Sequence, residues 1–339
     1  MGTRANVPGR CAIEEQQILD GVDLDLLQEF ERGLDPAHPQ RSRIPAQILG
    51  YGEISTVFAI DAAGLTGLAF KRLPLFRTWE EADRYGTVLG EYVRVLTEEI
   101  GLNLPAHGRA VVRGAAGRPV FYIIQQRLPG ESIGNRVLHH LGQEQVWRLL
   151  ERVLDEMARV WRFNRRQDRY QVAVDSQISN WSLGVPDGGR CDVEAATLWY
   201  MDTSTPLFRV GGVEQLDIEL FLRSAPSFLA WILRRLYLQQ VVDRYYDPHL
   251  VTVDLLANFY KEQRADLIPG AVATACDWMA AGGAGLPVEP VTEAELQAYY
   301  REDAQIWTLY LAARKVDRFL RTRLLRRDYP YILPERVER

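Results

Sequence analysis

Two closely spaced glycines that open an apolar run, followed by a second apolar run that ends in a lysine, constrain the fold of this chain most. Gly50 and Gly52 open the run that continues to Val57, a turn follows, and Leu68-Ala69-Phe70 leads directly into Lys71. Glycine lets a backbone approach an anion closely because it has no Cβ and can adopt positive φ, and a lysine supplies a point charge for phosphate. Lys71 is one of only three lysines among 40 basic residues. The pattern predicts a phosphate-binding β-hairpin with Lys71 on the neighbouring strand.

A helix is predicted to follow over Thr78–Ile100. Thr78 and Glu81 have the spacing of a capping box, apolar residues recur at helical intervals, and Gly101 can close the helix. The predicted helix carries several glutamates: Glu80, Glu81, Glu91, Glu98 and Glu99.

The composition changes from strand-rich to helix-rich near Gly130, where a junction between two lobes is expected. The β-branched and aromatic run Val120–Ile124 predicts a strand before this point. The spacing of apolar residues over Gln143–Asn164 predicts an amphipathic helix after it.

Three polar residues in the second half of the chain are candidates for chemistry. Asp175 and Asn180 lie five residues apart in a predicted loop. A strand, a turn at Pro186–Gly189 and a second strand are then predicted to lead to Asp202. Asp and Asn also favour turns, so Asp175 and Asn180 have a purely structural interpretation as well.

In this order, the motifs resemble those of the protein-kinase-like superfamily, in particular its small-molecule branch of aminoglycoside- and choline-kinase-like phosphotransferases. The glycine loop, the strand lysine, the helix glutamate, the catalytic loop and the metal-binding aspartate correspond to successive stretches of residues 46–205. The resemblance implies an α+β, bilobal fold with a small strand-rich N-lobe and a larger helical C-lobe. It also implies that the chain uses ATP and Mg²⁺.

The resemblance assigns a role to each candidate residue. It implies that Lys71 contacts the nucleotide phosphates and is held by Glu91, and that Asp175 accepts a hydrogen bond from the substrate hydroxyl. It implies that Asn180 and Asp202 hold Mg²⁺ through hard oxygen ligands. The residues implied in nucleotide binding are Gly50, Tyr51, Gly52, Ser55, Val57, Lys71 and Gln126.

The chain departs from the family pattern at several positions. Ser55 replaces the third glycine of the loop, Gln177 stands where a Lys or His often follows the catalytic aspartate, and Thr203-Ser204 replaces the Phe-Gly after Asp202. These changes argue against a conventional protein kinase and favour a small-molecule hydroxyl as the acceptor. Three alternatives stay open: a nucleotide-binding pseudokinase that serves as a scaffold or regulator, transfer of another group such as adenylyl, and Glu98 in place of Glu91.

Residues 1–45 are predicted to form an N-terminal arm and helix, residues 46–130 the kinase-like N-lobe, and residues 131–339 the helical C-lobe. Three scattered cysteines have neither disulfide nor metal-ligand spacing, so a cytoplasmic location is expected. The net charge of −5 gives no general attraction to nucleic acid or anionic membranes. The expected partners are therefore a nucleotide and a small-molecule acceptor, and the oligomeric state stays open.

Overall fold

The computed structural model describes residues 18, 20–36, 38–52, 54–184, 192–223, 242–324, 326 and 329–334. Contacts divide this part of the chain into two compact units. Unit 1 contains the described residues up to Arg127 together with Leu320–Pro334, and unit 2 contains those from Leu128 to Phe319. The predicted turn at Pro186–Gly189 lies outside the described residues. No helix in the described ranges is long and apolar enough to cross a membrane.

A five-stranded antiparallel sheet forms the centre of unit 1. The strand order is β1-β2-β3-β5-β4. The bounds of the strands are β1 Ala46–Tyr51, β2 Thr56–Ile60, β3 Leu68–Leu73, β4 His107–Arg113 and β5 Pro119–Gln126. The strand predicted over Val120–Ile124 is confirmed as part of β5, which is buried along most of its length because both faces of the sheet are covered.

Helix α1 (Leu24–Gly33) belongs to one face of the sheet. Phe30 of α1 packs edge-on against Phe58 of β2, with ring centroids 5.6 Å apart. Phe70 and Tyr122 continue the same buried cluster across β3 and β5. Ile332, in the segment that returns from the end of the described chain, completes the cluster.

Helix α2 (Trp79–Arg94) covers the other face. Tyr85 of α2 contacts Phe121 of β5 with centroids 4.9 Å apart, and Phe76 packs beside both rings. The helix predicted over Thr78–Ile100 is confirmed: Thr78 caps α2 by accepting the amide of Glu81, and the chain continues as a π-helical segment, Val95–Ile100, to Gly101.

A buried charge cluster lies on the α1 face. The Arg72 guanidinium donates to both carboxylate oxygens of Glu31, each at 2.7 Å, and the Tyr122 hydroxyl donates to the same carboxylate at 2.5 Å. Arg72 also donates to the carbonyl of Pro330 at 2.7 Å. Burial alone lowers the pKa of Arg72, but the Glu31 carboxylate raises it overall, so the arginine stays charged.

Unit 2 is mainly helical. Its helices are α3 Gly134–Val137, α4 Gln143–Arg166, α5 Ile218–Leu222, α6 Pro248–Lys261, α7 Ile268–Ala280 and α8 Glu293–Phe319. Helix α4 confirms the predicted amphipathic helix, and its apolar face is buried from Val146 to Trp161. Helix α7 packs on α4, and α6 packs on both α7 and α8.

Two small antiparallel sheets lie among these helices. The strands are β6 Tyr170–Val172, β7 Trp181–Gly184, β8 Thr197–Tyr200, β9 Phe208–Val210 and β10 Val213–Glu214. β7 pairs with β8, and β9 lies between β10 and β6. The described fold is therefore mixed α+β, with a small antiparallel sheet in unit 1 and a largely helical unit 2.

Candidate functional site

The predicted β-hairpin is present in unit 1, and its binding of phosphate stays a prediction. The β1–β2 connection is closed by a hydrogen bond from the amide of Gly52 to the carbonyl of Ser55 at 3.0 Å. A register shift between Ile48 and Gly50 places a bulge just before the turn. Tyr51 is exposed at the tip.

The reason expected for the two glycines is only half correct. Neither Gly50 nor Gly52 adopts positive φ, so the left-handed region is not what the loop requires. A Cβ on Gly50 would meet nothing within 4 Å, whereas one on Gly52 would lie 2.7 Å from the Ser55 hydroxyl oxygen. A side chain at position 52 would therefore have to displace the Ser55 hydroxyl, whereas the space beside Gly50 is open.

Lys71 lies in a row of residues that crosses the sheet. Gly50 pairs with Val57, Val57 with Lys71, and Lys71 with Ile123. Directly paired residues of antiparallel strands share a face. This face is the one covered by α2, because Phe121, two residues from Ile123, contacts Tyr85 of that helix. The structure thus brings Gly50, Val57 and Lys71 together.

Glu91 is positioned by α2, on the sheet face to which Lys71 belongs. Its carboxylate accepts two hydrogen bonds of 2.9 Å from Arg94, and Arg94 also pairs with Glu99 at 2.7 Å. Arg94 therefore shares the charge of the glutamate. The pairing of Glu91 with Lys71 stays a prediction. Gln126 ends β5 opposite Leu68, and its role in nucleotide binding also stays a prediction.

A second group of candidate residues lies on a tight turn in unit 2. The 3₁₀ segment Ile178–Asn180 follows Asp175. The amide of Gln177 donates to Asp175 Oδ1 at 3.2 Å, and the amide of Asn180 donates to the carbonyl of Gln177 at 2.8 Å. Asn180 Nδ2 reaches back to the carbonyl of Asp175 at 3.2 Å. The five-residue spacing therefore places both polar side chains on one turn.

The β7–β8 hairpin brings Asp202 to this turn. Trp181 pairs with Tyr200, and the amide of Met201 donates to the carbonyl of Asn180 at 2.8 Å. Asp202 is the next residue along the chain and therefore lies beside the turn. Its Oδ1 accepts the amide and hydroxyl of Ser204 at 3.0 and 2.8 Å. The structure thus brings Asp175, Asn180 and Asp202 together, as the spacing predicts.

The surroundings of the turn raise the pKa of Asp175 above its ordinary value. Burial, together with the negative charges of Asp254 and Asp202, raises the pKa of Asp175 to about 7. The hydrogen bond from Gln177 and the charge of Lys261 act in the opposite direction. A carboxylate with a pKa near neutrality can accept a proton under physiological conditions.

Sequence reasoning missed three residues from α6 and α8 that complete this environment. Lys261 Nζ donates to Gln177 Oε1 at 2.8 Å, and the Tyr299 hydroxyl donates to Asp254 Oδ1 at 2.7 Å. Burial also raises the pKa of Asp254, although the Tyr299 hydrogen bond lowers it. Lys261 could have been noticed, because it is another of the three lysines in the chain.

The donor set fits magnesium. Asn180 Nδ2 is engaged by the carbonyl of Asp175, which leaves the amide oxygen of Asn180 as the atom that can bind a metal. An amide oxygen and a carboxylate are the hard ligands that Mg²⁺ uses, usually with water and phosphate oxygens in the remaining positions. Among the described residues, no group of three or more His, Cys, Asp and Glu could hold a metal by itself, so the nucleotide phosphates would have to supply ligands.

A family model described as "Family of unknown function (DUF6206)" matches residues 37–318, which is most of the chain. The chain therefore belongs to this family. No curated protein matches the sequence.

Two solved structures are similar at low sequence identity. "WaaP in complex with acyl carrier protein" is 12% identical, with a TM-score of 0.31 and coverage of 71% of this chain and 88% of that chain. "Structure of the GDP complex of wild-type aminoglycoside 2'-phosphotransferase-IIIa" is 10% identical, with a TM-score of 0.31 and coverage of 72% and 95%. Similarity at this TM-score carries no argument about the function of the chain.

Proposed function

We propose that the chain is a kinase-like phosphotransferase that moves the γ-phosphoryl group of Mg-ATP to a hydroxyl of a small molecule. The observation that carries the proposal is the hydrogen bond from the amide of Met201 to the carbonyl of Asn180, at 2.8 Å. It joins the turn that holds Asp175 and Asn180 to the hairpin end that holds Asp202. Phosphoryl transfer needs mainly positioning and charge neutralisation, and this arrangement supplies a base and hard metal ligands together.

Asp175 is the proposed general base. The acceptor oxygen forms a bond to the γ-phosphorus, the bond from that phosphorus to the bridging oxygen of ATP breaks, and ADP leaves. The proton of the acceptor hydroxyl passes to the Asp175 carboxylate. Because the pKa of Asp175 is raised to about 7, turnover is expected to increase as the pH rises through that value.

Asn180 and Asp202 would hold the magnesium ion. Bound there, the ion would neutralise charge on the nucleotide phosphates. Ser204 keeps the Asp202 carboxylate in one orientation through its amide and hydroxyl. The chain supplies few charged ligands of its own, so its affinity for free magnesium is expected to be low and its affinity for Mg-ATP higher.

The nucleotide-binding part of the proposal belongs to unit 1. The row Gly50–Val57–Lys71 places a lysine and an uncovered glycine backbone on one sheet face. Lys71 would contact nucleotide phosphates, and the backbone N–H groups of the hairpin would add hydrogen bonds.

The proposal is tested by comparing Asp175→Asn with Asp202→Asn. Mg-ATP affinity is measured by calorimetry, and product formation is measured with γ-labelled ATP and a set of hydroxylated metabolites. Asp202→Asn should weaken both, because it removes a charged metal ligand. Asp175→Asn should leave Mg-ATP affinity near wild type and lower turnover by about 10²–10⁴-fold, the usual contribution of a positioned base.

Asp168→Asn is the matched control, because Asp168 is an exposed aspartate of the same unit. It should change neither measurement. Mg-ATP binding without turnover by the wild-type chain would instead identify a scaffold, and absence of Mg-ATP binding would remove the kinase-like interpretation altogether.

A further inference from the structure

Gln177 is the central residue of the Asp175–Asn180 turn. Its amide donates to Asp175 Oδ1 at 3.2 Å and its carbonyl accepts the amide of Asn180 at 2.8 Å. Its side-chain oxygen accepts a hydrogen bond of 2.8 Å from Lys261, which lies 84 residues further along the chain. Lys261 is therefore connected through one side chain to the backbone that orients both the base and a metal ligand.

The end of α6 that carries Lys261 is fixed in place. Gln263 has a φ of 59° and its amide donates to the carbonyl of Tyr260 at 3.1 Å, while the amide of Arg264 donates to the carbonyl of Phe259 at 2.8 Å. This is the hydrogen-bond pattern of a Schellman motif, here closed by a residue other than glycine. A glutamine with positive φ is strained, and such strain is often found at functional sites.

Arg264 attaches the same helix end to the rest of unit 2. Its guanidinium makes two hydrogen bonds of 3.0 Å to Asp266 and another to the carbonyl of Leu138. The ammonium of Lys261 thus extends from a constrained helix end.

The positive charge of Lys261 lies among several carboxylates. The carboxylates of Asp254 and Asp202 raise the pKa of Asp175, and the ammonium of Lys261 lowers it. The pKa of Asp254 is lowered by Lys261 and Arg244 and raised by Asp303. A phosphoryl group would add further negative charge to this surrounding. The charge of Lys261 lowers the pKa of both Asp175 and Asp254, whereas the charge of Arg244 lowers the pKa of Asp254.

We propose that Lys261 is a positioning residue for phosphoryl transfer: through its hydrogen bond to Gln177 it holds the Asp175–Asn180 turn in the orientation that the reaction needs. This inference rests on the proposed phosphotransferase function. It explains how a chain with Gln177 in the catalytic loop keeps a cation there, because the lysine is supplied from α6. A lysine in the last turn of a helix also interacts favourably with the helix dipole, and the experiment separates this structural contribution from the contact with Gln177.

The experiment compares Lys261→Met with the exchange variant Gln177→Lys/Lys261→Gln, which restores an amide–ammonium pair with the two partners reversed. Lys315→Met is the matched control, because Lys315 is an exposed lysine of α8. Two quantities are measured on the full chain. Amide hydrogen exchange is followed on peptides that cover residues 174–181, and the steady-state hydrolysis of γ-labelled ATP gives kcat and KM for Mg-ATP.

Lys261→Met should speed exchange in the Asp175–Asn180 turn and lower kcat by about 10²-fold, the cost of a small displacement of reacting groups. KM for Mg-ATP should rise, because Asn180 lies on the same turn, and the thermal midpoint should stay near wild type. The exchange variant should recover most of both losses, and Lys315→Met should change neither quantity.

The two measurements separate failure of the inference from failure of the proposed function. Unchanged exchange or unchanged kcat in Lys261→Met contradicts the inference while the phosphotransferase function stands. An exchange variant as slow as Lys261→Met also contradicts it, because the lysine would then be needed for the packing of α6. A wild-type chain that neither binds nor hydrolyses Mg-ATP removes the proposed function and the inference with it.

Discussion

Lys71 and Arg72 are neighbours on β3 with different surroundings. Arg72 lies in the core with Glu31 and Tyr122, and its side chain is 5% exposed. Lys71 is half-buried on the face that α2 covers. Alternation along a strand explains the difference, because successive side chains point to opposite faces. The side chain of Arg72 is therefore committed to the core, while that of Lys71 lies on the opposite face of the sheet.

Arg72→Met should accordingly affect mainly the stability of the chain, and Lys71→Met mainly the binding of Mg-ATP. Arg72→Met leaves the Glu31 carboxylate buried without its charged partner, so it should lower the free energy of unfolding by about 3–5 kcal/mol. Lys71→Met should lower it by about 1 kcal/mol or less but weaken Mg-ATP binding. Denaturant unfolding and calorimetry measure the two effects. An equally large loss of stability in both variants would show that Lys71 is structural.

The raised pKa of Asp175 also makes the stability of the chain depend on pH. Below about pH 4 the carboxyl is neutral in the folded and unfolded chain alike. Between that pH and about 7 the unfolded chain releases the proton while the folded chain keeps it, so stability falls as pH rises. Asp175→Asn removes this loss. Its thermal midpoint relative to wild type, measured without magnesium, should therefore be higher at pH 8 than at pH 5; a constant difference would contradict the prediction.

At the scale of elements, the candidate loop is supported by a close approach between α3 and the Ile178–Asn180 turn. A Cβ on Gly134 would lie 2.1 Å from the carbonyl oxygen of Ile178. The hydroxyls of Ser132 and Ser182 meet at 2.7 Å beside this contact, and residue 133 forms a bridge to β7. The backbone of the turn thus has no room to move toward α3.

Gly134→Ala should displace this turn. The new methyl group meets backbone rather than a flexible side chain, so the free energy of unfolding should fall by about 1–3 kcal/mol and turnover should fall as well. Gly130→Ala is the matched control, because nothing lies within 4 Å of its Cβ position. The two variants are compared by thermal unfolding and by ATP hydrolysis. Equal behaviour would show that the approach is relaxed in solution.

Local sequence patterns predicted the elements well, because helix caps and apolar periodicity act over a few residues. Thr78 marks the start of α2, and Gly101, with a φ of 84°, marks the end of the π-helical segment that continues it. The same patterns could not reveal the contact between Gln177 and Lys261, which depends on how α6 packs. They also could not show that Gly52 lies outside the positive-φ region and that a Cβ there would meet the Ser55 hydroxyl.

At the scale of the whole molecule, the change from strands to helices was visible in the sequence, but the path of the final segment was not. Leu320–Pro334 belongs to unit 1, and Tyr329, Tyr331, Ile332 and Leu333 are buried there. No local pattern indicates this return, because it is determined by the fit of a few side chains and of the Pro330 carbonyl to a surface that includes Arg72, 258 residues earlier.

Mg-ATP should stabilise the folded chain if the proposed function is correct. A ligand that binds only the folded state adds about 2.7 kcal/mol at a hundredfold excess over Kd. A calorimetric scan should therefore show a higher unfolding temperature with millimolar Mg-ATP, and a smaller increase in Lys71→Met and Asp202→Asn. Magnesium alone is the control and should have little effect. An unfolding temperature that Mg-ATP leaves unchanged would contradict the prediction.

The hydrogen bond from Arg72 to the Pro330 carbonyl has a consequence for biosynthesis. The ribosome makes β3 before unit 2, but the residue that accepts this hydrogen bond is added only after residues 128–319 of unit 2. Unit 2 can therefore complete its packing on the emerging chain, whereas unit 1 must wait with part of its core uncovered. Proteins usually fold from the N-terminal domain onward during synthesis; of these two units, the one that is begun earlier closes later.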